Sequence, residues 1–273
     1  MQTGRVFAVL VPAVVLSGCL QSTTLVKVNA DGSGTVETQA LMTTAALAQV
    51  RQLAGAFGGT DAKPFDPFSE QQMRDLASQM GEGVALVSTR PLQSPSAEGR
   101  EAIYSFRDVS KLRLTQAPAA PGGPSARAGA IGAGGQSDAM TLAMSKTAAG
   151  NALLTLHLGG NPLAGLADRT GAGDAQNGLP LPADQIALMQ PMLAGMRVTL
   201  SVEPAGRLVK TSSPYVEGNT VTLFDIEMDA LLNDAAFKQL QTAKTSQEAK
   251  DALKSIKGVK LVLDPEITIE FAP

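Results

Sequence analysis

Hydrophobic residues recur at every second position along most of this chain and at helical spacing in five segments. The alternation predicts strands, because successive side chains of an extended backbone point to opposite faces. "TLVKVNA" and "TVETQALM" place Val26 and Val28 on one face and Val36, Thr38 and Ala40 on another. Asp31-Gly32 and Gly34 lie between them and accept the positive φ of a tight turn, so a β-hairpin is expected. "GVALVSTRPL" and "REAIYSFRDV" flank the turn-rich "QSPSAEG". "DAMTLAMSK" and "NALLTLHL" oppose Met140, Leu142 and Met144 to Leu154, Leu156 and Leu158. "RVTLSVEP", "RLVKTSS" and "NTVTLFDIEM" read as a third meander, and "KLVLDPEITIEF" closes the chain.

The helical segments carry start and stop signals. Residues 44–57 space Leu47, Val50, Leu53, Ala54 and Phe57 along one face. After "PFDPF", Ser69 and Gln72 form a capping box, Met73, Leu76, Ala77 and Met80 share a face, and Gly81 stops the helix. Thr245 and Glu248 form a second box ahead of Ala249, Ala252, Leu253 and Ile256, with Gly258 as the stop. A helix from about Asp229 to Leu240 and a short one around Ala183 to Gln190, interrupted by Pro191, complete the set. Strands joined by short turns imply antiparallel pairing with one face buried under helices. The fold class is therefore α+β, with antiparallel meander sheets and amphipathic helices packed on one face. Residues 24–57 and 196–240 both run from a hairpin into a helix, which raises an internal duplication as one reading.

Two stretches break the pattern. Residues 116–136 and 159–180 are built of Ala, Gly and Pro and have little to bury, so flexible loops are expected there. They bracket the 138–158 hairpin, which is read either as part of the domain between long surface loops or as an inserted, mobile flap.

The N-terminus has a different logic. "MQTGR" carries one positive charge, and Val6 to Leu16 is an apolar run of eleven residues. A membrane-spanning helix needs about 20. The run has the length and flanks of a secretory h-region, and it ends in Leu16-Ser17-Gly18-Cys19. This arrangement resembles the type II signal peptide and lipobox of bacterial lipoproteins. The resemblance implies that residues 1–18 are removed, that Cys19 receives a diacylglycerol group, and that residues 19–273 form the mature domain. Leu20, where an aspartate would favour inner-membrane retention, implies the periplasmic face of the outer membrane in a Gram-negative cell. Cys19 is the sole cysteine, so no intramolecular disulfide forms in spite of an exported destination. The "DGSG" hairpin likewise resembles the opening of a group of bacterial envelope lipoproteins, a likeness of about a dozen residues that implies no activity.

Charge and composition narrow the partners. Loss of Arg5 leaves 21 basic against 25 acidic residues, and no lysine or arginine cluster stands out. Neither nucleic acid nor an anionic lipid surface is an expected electrostatic partner. The chain has no tryptophan and two tyrosines, which argues against an aromatic-lined glycan groove. The expected partners are the membrane, through lipid on Cys19, and an envelope protein or lipid ligand.

Candidate chemistry is sparse. "VNADGSGTVE" resembles a calcium loop in outline, but setting Asp31-Gly32 at positions five and six puts Lys27 first and Thr38 twelfth, where oxygen ligands belong. The lone histidine, His157, points away from Leu154, Leu156 and Leu158, to the surface. No Gly-x-Ser-x-Gly elbow occurs, and "GAIGAGG" lacks the strand and helix that a dinucleotide fingerprint requires. One cluster remains. In "FDIEMD", Asp225, Glu227 and Asp229 face away from Phe224, Ile226 and Met228, spaced about 7 Å apart along a strand. Three carboxylates in a row could bind a cation or serve a hydrolase as general acid and base. The competing reading makes them the solvent face of the strand, with Asp229 capping the next helix. No cofactor and no metal are called for, and the residues favour a non-catalytic, membrane-anchored binding or scaffolding domain.

Overall fold

The computed structural model describes residues 20–57, 66–115, 139–158, 194–232, 235 and 246–273. Strands β1 (Leu20–Val28) and β2 (Gly34–Thr43) form the expected hairpin, and α1 (Thr44–Phe57) follows β2 without a loop. Helix α2 (Glu70–Gln79) is capped by Ser69, whose Oγ accepts the Gln72 amide at 3.3 Å, and the chain leaves it at Gly81 with φ of +127°. Strands β3 (Ala85–Gln93) and β4 (Ala97–Phe106) form a second hairpin, with a turn over residues 94–96. A 3₁₀ turn at Val109–Lys111 leads to β5 (Arg113–Thr115). Strands β6 (Ala139–Lys146) and β7 (Ala152–His157) pair in the predicted register, Leu142 opposite Leu156 and Met144 opposite Leu154. The C-terminal part contains β8 (Arg197–Pro204), β9 (Arg207–Thr211), β10 (Val216–Glu217), β11 (Thr220–Glu227), α3 (Met228–Leu232), α4 (Ser246–Ser255), β12 (Val259–Leu261) and β13 (Glu266–Ala272).

These strands make two sheets. The larger runs β10-β11-β8-β1-β2-β4-β3, with β12 beside β10 on the same edge of β11; the smaller runs β5-β6-β7-β13-β9. The fold is α+β, as the periodicity implies, but two expectations need correction, and one open alternative closes. First, β1 pairs with β8 in parallel, Gln21–Val28 against Arg197–Pro204, where only antiparallel hairpin contacts were expected. Local turn signals carry no information about a partner some 170 positions away. Second, β8, β9 and β11 are not a meander. Strand β8 lies between β1 and β11, whereas β9 crosses to the small sheet and pairs with β13. The crossing passes through Gly206, where a Cβ would lie 1.7 Å from the Ala272 carbonyl oxygen, so only glycine fits. Of the two readings of the β6–β7 hairpin, the one that makes it part of the domain holds, and the inserted flap falls away. Strand β7 is central in the small sheet, and Met140, Leu154 and Leu156 are fully buried.

The facing sides of the two sheets share one hydrophobic core. Val26, Val28, Val36, Tyr104, Leu200 and Val202 from the large sheet join Leu114, Met140, Leu154, Ile267, Ile269 and Phe271 from the small one. Helix α2 adds Ala77 and Met80, and α4 adds Leu253. A satellite cluster of Leu20, Met42, Leu47 and Phe68 closes the end of the large sheet where β1 starts and α1 leaves β2. The expected signal segment 1–18, Cys19, the expected loops 116–136 and 159–180, the expected helix at 183–190 and Thr245 lie outside the described residues, as does most of the expected helix beyond Leu232.

Candidate functional site

The carboxylate row sits where the strand register puts it, at the end of β11. A β-bulge between Thr222 and Phe224 lets both Leu223 and Phe224 bury, after which the alternation resumes with Phe224 opposite Leu200 and Ile226 opposite Val198. Asp225 and Glu227 therefore project from the other face, across from Thr199 and Arg197 of β8. The solvent-face expectation fails at Asp225, which is only 8% exposed. The Arg197 guanidinium grips it through two bonds, Nε to Oδ1 at 2.8 Å and Nη2 to Oδ2 at 2.7 Å, and the Thr199 hydroxyl donates to Oδ1 at 3.0 Å. Arg197 Nη1 also reaches Glu227 Oε1 at 3.3 Å. One cation thus spans two members of the row.

The third member does something else. Asp229 was expected to cap the helix that follows it, but α3 begins at Met228 and Asp229 lies inside the first turn. Its carboxylate accepts the Gly195 amide, 2.9 Å from each oxygen, and so fastens the entry to β8. Met228 N bonding to Met196 O at 2.8 Å ties the same two segments.

The electrostatics follow from this geometry. Burial alone would raise the Asp225 carboxyl, but the bonds from Arg197 and Thr199 and the charges of Arg197 and Lys260 outweigh it and hold the group below its ordinary value. The Asp225 hydrogen bond in turn raises Arg197. A carboxylate held ionised by a bidentate arginine accepts protons poorly and has its lone pairs engaged. It is a poor general base.

Other titratable groups are similarly committed. Asp31 accepts from the Ser33 amide at 2.9 Å and the Ser33 hydroxyl at 2.7 Å, and these bonds lower its carboxyl. The hairpin reading holds: Gly32 takes φ of +85°, and a Cβ on Gly34 would meet Lys27 O at 2.0 Å. His157 is at the surface, as its strand position implies, with Nδ1 3.3 Å from Glu266 Oε2 on the neighbouring strand. The buried Tyr104 hydroxyl donates to Met73 Sδ at 3.6 Å, and burial pushes the phenol up to about 12, out of range for proton transfer near neutral pH.

Among the described residues, no three His, Cys, Asp or Glu side chains converge as a metal site. Open depressions among the described residues include two. One lies between α2 and β3, walled by Arg74, Ser78 and Val84–Thr89; the other lies at the hairpin end, around Lys27, Thr35, Phe106 and Glu203. Neither is lined by Asp225, Glu227 or Asp229. Arg197 and Thr199 are the residues that sequence reasoning missed. The signal lay in "RVTLSVEP": an antiparallel partner for "NTVTLFDIEM" places its leading arginine opposite Glu227.

No family model matches the chain, and no curated protein does. Among solved structures, it is similar to the folded domain of the Mycobacterium tuberculosis protein LppM, determined by NMR, at 12% identity over 93% of this chain and 90% of that one, with a TM-score of 0.31. At that level of similarity, the site has to be understood from its own residues.

Proposed function

We propose that the protein is a lipid-anchored lipoprotein of the bacterial cell envelope, held by acyl chains on Cys19, and that its α+β domain binds or scaffolds rather than catalyses. The observation that carries this reading is Leu16-Ser17-Gly18-Cys19 placed directly after the Val6–Leu16 h-region, with Cys19 the sole cysteine of the chain. Leu20 in the position after the cysteine favours the periplasmic face of the outer membrane. A single acyl chain holds only marginally, with a binding constant of about 10⁴ M⁻¹, so the two or three chains of a lipoprotein set the residence time.

The non-catalytic reading is supported by the state of the row. Asp225 is tied to Arg197 and Thr199, Glu227 shares that arginine, and Asp229 holds the Gly195 amide. Catalysis needs converging groups, available and set in a cleft. Two experiments bear on the proposal. Replacing residues 1–19 with a secretory leader that is cleaved without lipidation should move the protein from the membrane fraction to the soluble fraction; continued sedimentation with membranes would refute the anchor. Glu227→Gln with Asp229→Asn should leave envelope function intact. If that folded variant behaves like the deletion, the cation-dependent or hydrolytic reading of Asp225, Glu227 and Asp229 replaces the scaffold.

A further inference from the structure

The anchor and the fold meet without a tether, and this fixes which end of the domain faces the lipid. Leu20 is paired with Met42 in the sheet and only 7% exposed, packed against Met42, Leu47 and Phe68. Consecutive Cα atoms are about 3.8 Å apart, so Cys19 can stand no farther than that from a residue locked into the core. A long flexible linker would let a lipoprotein tumble above its membrane. Here no such residues are available between the lipidated position and β1.

The strand register identifies what shares that level. Leu20 is opposite Met42, and Thr43 is opposite Ala97, so one residue farther along lie the start of α1 at Thr44 and the turn at residues 94–96. The Thr44 amide bonds to Ser96 O at 3.0 Å and joins the two. On the other side Gln21 is opposite Arg197, which brings Gly195 and the first turn of α3 to the same rim. We infer that this rim, formed by Thr44, residues 94–96, Gly195 and Asp229, rests on the phospholipid headgroups, with the Asn29–Ser33 turn at the far end. This rests on the anchor proposed above. Nine residues of β1 at about 3.3 Å each raise that turn about 30 Å above the bilayer.

The attachment does not draw on the described cations of this rim. Arg51 pairs with Glu98 at 3.4 Å, and Arg197 pairs with Asp225 and Glu227, so these rim cations are already matched within the domain. A surface that adheres through a basic patch loses contact with salt or when anionic lipid is removed. This one should do neither.

Strand β4 supplies a ruler for the test, since exposed Ser96 and Arg107 flank its two ends. The native cysteine is consumed by lipid, so Ser96→Cys or Arg107→Cys introduces a single labelling site. Each variant is purified as the acylated protein, placed in phosphatidylethanolamine and phosphatidylglycerol vesicles, and labelled with a fluorophore read against a headgroup quencher. The expected result is severalfold stronger quenching at position 96 than at 107, unchanged in high salt or on replacing phosphatidylglycerol with phosphatidylcholine. Ten Gly and Ser residues inserted between Cys19 and Leu20 should abolish the difference. Equal quenching at both positions in protein that is acylated and vesicle-bound overturns the orientation and leaves the anchor intact. Protein whose Cys19 carries no lipid, by mass spectrometry, overturns both.

Discussion

Two acidic sites in this molecule look alike as sequence and are held by different physics. Asp31, in the turn between β1 and β2, accepts the amide and hydroxyl of Ser33 on one oxygen, Oδ1, two residues away and in solvent. Asp225, on β11, gives its oxygens to Arg197 and Thr199, 28 and 26 positions distant, in a site that is 8% exposed. The first carboxylate is satisfied by its own loop and the second only by the completed sheet. Each invites a functional reading when seen alone, as a calcium ligand or as an acid-base group. In Asp225 internal partners occupy both oxygens, whereas in Asp31 they occupy Oδ1.

The contrast can be broken by mutation. Asp225→Ala should have the largest effect, a loss of about 2 kcal/mol by denaturant unfolding, because it deletes charge-assisted bonds and leaves Arg197 without its buried partner. The half-exposed guanidinium keeps this below the 3–5 kcal/mol of a fully buried pair. Replacing both partners by apolar groups, Arg197→Met with Asp225→Leu, should recover most of the loss, and a double-mutant cycle measures the coupling. A cost equal to the sum of the single changes would show that the pair is not the source.

The pH dependence of stability sharpens the same point. Asp225 is lower in the folded state than the ordinary aspartate value of about 3.9. Its contribution is therefore present above that value and lost as pH falls through the lower folded one. Asp225→Asn should flatten this acid limb of the stability curve. Asp31→Ala should cost less than Asp225→Ala and should show no coupling to Arg197. The smallest change is expected from Glu227→Gln, within about 0.5 kcal/mol, since its ion pair with Arg197 is half exposed on both sides.

What could be read from the sequence follows the same division. The β1–β2 turn, the α2 cap at Ser69 and the β6–β7 register depend on residues within a few positions of each other, and periodicity with turn chemistry exposes them. The parallel β1–β8 pairing and the departure of β9 to the small sheet depend on which distant apolar faces meet, which alternation leaves open. The bulge at Leu223 shows the limit within a single strand. Strict alternation puts Leu223 opposite in face to Phe224, yet both are buried. At the candidate site, the common face of Asp225 and Glu227 was legible in "FDIEMD"; their pairing with Arg197 was not, because that residue belongs to another strand, nor was the bond of Asp229 to the Gly195 amide.

The most direct test of the account is the mass of the N-terminal peptide of the mature protein isolated from membranes. The expected result is a chain beginning at Cys19 whose thiol carries a diacylglycerol group, followed directly by Leu20 of β1. A chain that begins at any other residue, or a free thiol at Cys19, would contradict it.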